Sequence, residues 1–281
     1  ESWRADALAG SRHSRWVDEL REPLEIHDLD RAQSICGEVC RLALQDFAPA
    51  LLLLPEIDRQ RVQALTAYGL TLFDFVRQTG LEGERLTAIN RWEFELESAL
   101  DGRPPGQPVY VLLHHLEQQR PWPRDGFDRL HAYARRRCAQ PRPADPRASE
   151  RDARTLGDAL VWLVSGGQPS EPASRLAAVL IRLGGLTALG DDLRRHRPQL
   201  PVSELPDFFG ADDTPQFTVI AAAMARECHR IREMTDLSTD LHDQLPKNLV
   251  RAARYSQLAA GKLLDRVEAA GANVLEEPTR L

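Results

Sequence analysis

Carboxylates and arginines are the residues of this chain whose types and spacing could do chemistry. Asp74 sits inside the stretch Arg61 to Gly80, RVQALTAYGLTLFDFVRQTG, between Phe73 and Phe75. A carboxylate set among aromatics is costly to bury unless it is paired or binds a cation. Further on, Asp191 and Asp192 precede Arg194, Arg195 and Arg197. Arginine grips phosphate through paired hydrogen bonds and needs no metal to do so. The same three cations equally suit a solvated helix end, where they face the negative pole of the helix dipole. For Asp74 the plain alternative is a structural carboxylate paired with an arginine, either Arg77 or one of residues 194–197.

Other polar clusters carry weaker signals. His114 and His115 would suit metal or acid–base work, but a histidine pair on a helix more often splits into one exposed and one core residue. Cys228-His229 lacks a partner pattern. Arg135-Arg136-Arg137 reads as a solvated surface, or as a docking patch for an acidic partner or anionic lipid headgroups. Cys36, Cys40, Cys138 and Cys228 have neither disulfide nor zinc spacing, which fits buried or free thiols in a reducing cytoplasm.

The elements that must position these groups are helices. In the Asp74 stretch, Val62, Leu65, Leu72, Phe73 and Val76 fall at helical spacing. Asp58 is placed to cap its start and Gly80 to stop it. The same three-to-four period runs through Ile35, Val39 and Leu42, then through Leu86, Ile89, Trp92, Leu96 and Leu100, then through Val109, Leu112, Leu113 and Leu116. A helix is expected from Phe127 to Cys138. Residues 140–147 hold three prolines, so no helix runs through them and they form a loop or linker. Ser149 to Asp152 looks like a capping sequence for the next helix. Another helix is expected from about Pro172 to Arg197. A final pair follows, marked by Phe217, Ile220, Met224, Ile231, Met234 and Leu241, then by Leu249, Ala252, Leu263 and Val267, with Pro246 between and Gly271 at the end. No run of strand alternation occurs. The fold class is therefore all-α, with eight or more helices.

The 281 residues are 42% hydrophobic, enough for a sizeable core, and the longest apolar run, Ala50 to Leu54, is far too short to span a membrane. A net charge of −6 gives no case for nucleic-acid binding. Residues 1–29, with Trp3 and Trp16, read as an N-terminal arm; residues 30–281 read as one domain.

Four phrases, taken in order, resemble the squalene/phytoene synthase family. Ala64 to Gly69 stands where the family has ALYAFC, and Leu72 to Arg77 stands where it has ADDIVD. INRWEFELESALDGRPPGQPV, residues 89–109, is similar to the family's tryptophan-bearing helix and its Gly-Arg-Pro turn. LIRLGGLTALGDDLRRHRPQLP, residues 180–201, resembles the second aspartate motif, with Gly190, Asp192, Arg194, Arg195, Arg197, Leu200 and Pro201 in place. The alanine-rich ending from Leu245 completes the set. The resemblance spans about Asp30 to Leu281.

It implies a single isoprenoid synthase-like helical domain. It also implies that carboxylates four apart on two helices would hold magnesium on a diphosphate. Of those four positions, 73, 77 and 188 are Phe, Arg and Ala, and only Asp192 remains. Asp74, Asp191 and Asp192 are the degenerate catalytic positions, with Asp74 and Asp192 the residual metal ligands. Tyr68, Arg77, Arg194, Arg195 and Arg197 fall at substrate-binding positions. Arg77 puts a like charge near the metal position, opposing a cation by about a few kcal/mol at an effective dielectric near 20.

Two functions stay open. The first is a protein that has lost ordinary magnesium-dependent condensation and binds an isoprenoid diphosphate, another apolar ligand or a protein partner, with no cofactor certain. In it, Arg77 would bridge to Asp191 or Asp192 and Phe73 would fill the old metal site. The second is an active prenyl diphosphate transferase with an altered site and Mg2+. Either implies a cytoplasmic location, with peripheral contact at the inner membrane left open.

Overall fold

The computed structural model describes residues 18–24, 28–77, 81–166, 170–194, 199–205, 216–236, 245 and 247–271, without the side chains of residues 191, 194 and 248. Trp3, Trp16, Gly80, Arg195, Arg197, Leu241 and Pro246 lie outside the described residues. Among those described, every regular element is helical and none is a strand, as the apolar spacing predicts.

The helices are α1 (Leu29–Leu44), α2 (Ala48–Leu51), α3 (Glu56–Arg77), α4 (Glu82–Leu100), α5 (Pro108–Gln119), α6 (Arg124–Ala139), α7 (Pro146–Ser165), α8 (Glu171–Thr187), α9 (Leu189–Arg194), α10 (Phe217–Asp236) and α11 (Lys247–Ala270). A 3-10 turn at Gln45–Phe47 joins the first two, and residues 18–21 are helical as well. Among the described residues, no helix is long and apolar enough to cross a membrane.

The chain divides into two compact units. One holds residues 1–139 and 162–167; the other holds residues 140–161 and 168–281. In the first, α1 packs on α3 and α5, α3 also meets α4, α5 and α6, and α4 lies against α5 and α6. This surrounds α3, so the apolar stripe read from its sequence understates its burial. Ala64, Ala67, Tyr68 and Thr71 are buried beside Leu65, Leu72 and Val76. In the second unit, α8 packs on α10 and α11, which pack on each other. Gly157 of α7 allows a close crossing there, since a Cβ would come 3.0 Å from the carbonyl oxygen of Ser174.

Several boundaries differ from the sequence reading for identifiable reasons. α3 starts at Glu56, three residues earlier than a cap at Asp58 would give, and Asp58 serves inside its first turn as an ion-pair partner of Arg120 at 2.7 Å rather than as the cap. α7 starts at Pro146, where proline's missing N–H costs nothing. Its cap is Asp145, whose carboxylate accepts from the Ala148 amide at 2.7 Å, and not the Ser149–Asp152 sequence. The long helix expected up to residue 197 breaks at Ala188, and α9 follows as a separate short helix. α4 ends at Asp101-Gly102, with Gly102 at φ 89°.

The proline loop is anchored within its own unit. Arg142 donates to the carbonyls of Leu200, Pro201 and Leu205 at 3.3, 3.4 and 2.5 Å. The amides of Val202 and Ser203 donate to the carbonyls of Pro143 and Ala144 at 2.9 and 3.0 Å. Segment 199–205, which ends the second motif phrase, is thus positioned by loop residues that the sequence marked only as a break.

Candidate functional site

The C-terminal half of α3 carries the first motif phrase. Asp74 is buried, and its partner is Arg21 from the N-terminal segment. Arg21 Nη2 lies 3.2 Å from Asp74 Oδ2. The same guanidinium rests 4.7 Å from the centroid of the Phe75 ring. A residue more than fifty positions away in sequence brings a positive charge to this carboxylate. No local spacing could have exposed that pair. Phe73 packs edge-on to Tyr133 with ring centroids 5.7 Å apart. Arg77 is half-buried in the last turn of α3. It belongs to the first unit and Asp191 and Asp192 to the second, and each is described within its own unit.

Deeper in the first unit, Tyr68 is fully buried in an aromatic cluster. Trp92 stacks on it at 5.5 Å, and Tyr110 and Phe127 meet it edge-on at 6.3 and 5.6 Å. Its hydroxyl lies 2.6 Å from His131 Nε2. Burial raises the Tyr68 phenol well above its ordinary range and lowers His131 to about 4, with the positive charge of Arg135 adding to the latter. At neutral pH the phenol is therefore protonated and the ring neutral, so the O–H donates to Nε2. His131 Nδ1 faces Glu93 Oε1 at 3.3 Å without hydrogen-bond geometry. The Glu93 carboxylate is instead drawn to Arg135. This line of groups was not read from the sequence, because α3, α4 and α6 each contribute to it.

At the other end of α3 a second polar set is built from Arg61, Arg120 and Asp58. Arg61 is fully buried and stacks on Trp122, its guanidinium carbon 3.5 Å from the ring centroid. It donates to the carbonyls of Arg120 and Leu163 at 2.7 and 2.8 Å, while Arg120 donates to the carbonyl of Val164 at 3.1 Å. Two arginines thereby satisfy carbonyls at the C-terminal end of α7, which the helix cannot bond internally. Burial lowers the Arg61 pKa to about 10, still high enough to keep it charged at neutral pH.

In the second unit, Ala188 ends α8, so the first position of the second motif falls at a helix break. Asp192 is only 1% exposed. The side chains of Asp191 and Arg194, and all of Arg195 and Arg197, lie outside what is described. A buried ion pair nearby in sequence is well defined. Arg182 Nε donates to Glu227 Oε1 at 2.6 Å, and Arg230 reaches both Glu227 and Glu204. Burial of Glu227 opposes its charge, but the hydrogen bonds and positive charges of Arg182 and Arg230 outweigh it and hold the carboxyl below its usual range.

The remaining clusters have local roles. The ring nitrogen Nδ1 of His114 lies 2.9 Å from the Ala99 carbonyl, and His115 pairs with Gln119. All four cysteines are buried and free of disulfides. The Arg135–Arg137 run is not a uniform solvated surface. Arg135 pairs with Glu93, Arg137 is buried, and only Arg136 is exposed, lying over the Tyr133 ring.

Among the described residues, no group of three or more His, Cys, Asp or Glu is placed to hold a metal ion. Asp74 already faces a guanidinium, and positions 73, 77 and 188 offer a ring, a cation and a methyl group.

Residues 41–281 match the family model described as squalene/phytoene synthase, and the chain belongs to that family. Its fold is also that of solved structures. Squalene synthase HpnC from Alicyclobacillus acidocaldarius is 20% identical at a TM-score of 0.66, over 87% of this chain and 95% of that one. A dehydrosqualene synthase in complex with ligand is 14% identical at 0.67, over 87% and 89%. YisP from Bacillus subtilis subsp. subtilis strain 168 is 12% identical at 0.59, over 96% of each. No curated protein matches. The all-α, isoprenoid synthase-like architecture expected from the sequence is thus the observed one.

Proposed function

We propose that this member of the squalene/phytoene synthase family has given up ordinary magnesium-dependent prenyl diphosphate condensation and serves as a binding protein. Its ligand is an isoprenoid, as the diphosphate or another apolar form, or its partner is a protein that it helps assemble or regulate. The observation that carries this reading is the Arg21–Asp74 pair. The central carboxylate of the first motif already has a protein cation as its partner, and the positions on either side of it in the motif are Phe73 and Arg77. A site that binds several divalent ions on diphosphate needs several carboxylates to offset the repulsion among the cations. One carboxylate neutralised by arginine does not supply that.

The test is incubation with farnesyl or geranylgeranyl diphosphate and magnesium, following pyrophosphate. The expected result is no enzymatic release above background. Sustained release would overturn this reading in favour of an active transferase with an altered site. Direct binding of the same diphosphates, measured with magnesium chelated, separates an isoprenoid ligand from a purely protein partner.

A further inference from the structure

Residues 18–24 hold the first unit at three points. The Leu20 side chain is completely buried. Arg21 pairs with Asp74 at 3.2 Å and lies over the Phe75 ring at 4.7 Å. The Leu24 amide donates to the Gly106 carbonyl at 2.6 Å. Position 106 is shaped for this approach, since a Cβ there would sit 2.7 Å from the backbone oxygen of Leu24. Such a distance cannot be met without a shift of backbone, so glycine is required for the segment to lie where it does. Between these anchors the segment is wet. Arg21 is half-exposed, and Glu22 and Pro23 are exposed.

We propose that residues 18–24 are a strap that masks the Asp74 face of α3, latched by Arg21, and that the strap must lift before a ligand reaches this face. The inference rests on the reading of the protein as isoprenoid-binding and adds to it a contact that inhibits in cis. Three features support a mask over a mere anchor. The latch sits on the motif carboxylate itself. It supplies the cation that the degenerate motif no longer recruits as metal. Its arginine is one-third exposed, so water reaches the guanidinium from outside. The ion pair of Arg182 with Glu227 is buried on both sides and holds scaffold elements, whereas the Arg21 pair, whose arginine is as exposed as Arg120 is beside Asp58, holds a chain segment at the protein surface.

The experiment uses the full chain and three variants, Arg21→Gln, Asp74→Asn and Gly106→Val. Farnesyl diphosphate in chelator is the probe, and amide hydrogen exchange at Leu24 reports the strap directly. All three variants are expected to speed Leu24 exchange. All three should also tighten probe binding about fivefold, because a ligand no longer competes with a closed population. The common sign is the point. If Arg21 were itself a ligand for the diphosphate, Arg21→Gln would weaken binding while Asp74→Asn strengthened it, and the mask would be overturned. Unchanged Leu24 exchange in Arg21→Gln would overturn the latch, and equal affinities in the presence of faster exchange would overturn the mask. Probe binding by none of the four proteins would overturn the mask and the isoprenoid ligand together. Pyrophosphate release by the unaltered protein would overturn the proposed loss of condensation alone, leaving the affinity ratios to decide the strap.

Discussion

The two ends of α3 carry the same chemistry, an aspartate facing an arginine beside an aromatic ring, and treat it differently. At the start, Asp58 meets Arg120 at 2.7 Å, and Arg61 lies on Trp122 with hydrogen bonds to two carbonyls. Arg61 is fully buried and its partners are backbone atoms at the ends of other helices. Toward the end of the helix, Asp74 meets Arg21 at 3.2 Å beside Phe75, but Arg21 is half-exposed and arrives on a seven-residue segment. The first arrangement joins α3, α5 and the end of α7. The second joins α3 to something that water can displace. What separates the two ends is Arg61, which is fully buried, and not the exposure of the paired arginine, which is the same for Arg120 and Arg21.

The sharpest break in that comparison is Arg61→Ala. It leaves the Leu163 and Arg120 carbonyls without their donor and opens a space against Trp122. The expected loss is about 3–5 kcal/mol in urea unfolding, the range for breaking a buried charged network. A loss below about 1 kcal/mol, the size of an exposed pair, would erase the distinction between the two ends.

Between the two ends lies the Tyr68–His131 pair, which makes an acid-sensitive core. A buried base with a folded pKa of about 4 leaves stability intact above the ordinary histidine value. As pH falls below about 6.5, the unfolded chain takes up the proton first, so stability declines until the folded ring protonates near the lower value. The expected decline is roughly 3 kcal/mol across that window, and His131→Gln should remove this limb from a plot of unfolding free energy against pH. Retention of the full decline in that variant would assign it to other groups.

Tyr68→Phe keeps the stacked ring and deletes the hydroxyl that donates to His131. Thermal or urea unfolding should show a loss of about 1–2 kcal/mol, the cost of a buried hydrogen bond whose acceptor is left behind. No measurable loss would mean that water replaces the hydroxyl, placing this region with the wet end of α3. The smallest effect is expected at Arg21. Arg21→Ala should cost about 1 kcal/mol or less in the same assay, since the Arg21 guanidinium is one-third exposed and its attraction is screened there. A loss as large as that for Arg61 would make the strap part of the scaffold.

Much of the architecture was legible from residues near one another in the chain. Helical spacing, proline positions and Gly102 are local signals, because apolar periodicity, a missing N–H and a left-handed φ act over one or two turns. They placed every long helix of the described chain and a break at residues 140–147, of which Pro146 and Arg147 in fact open α7. The motif phrases at 72–77 and 180–201 were equally readable, as was the absence of aspartate at 73, 77 and 188. The boundaries that slipped, at Asp58, Ser149 and Ala188, are those where a local capping preference was overruled by a partner or a break that sequence spacing does not encode.

What the sequence by itself determined is the helical class, the family phrases and the residues that stand at 73, 77 and 188, all of which are read within a few turns of the chain. Only the tertiary structure decided which charge faces which. Arg21 and Asp74, Arg61 and Leu163, Tyr68 and His131, and Arg182 and Glu227 are each separated by more than forty positions, and their pairing depends on which helices stack and on how much water the packing excludes. Desolvation turns an ordinary arginine into a scaffold bolt in one place and leaves it a removable latch in another, and desolvation is a property of the packed chain.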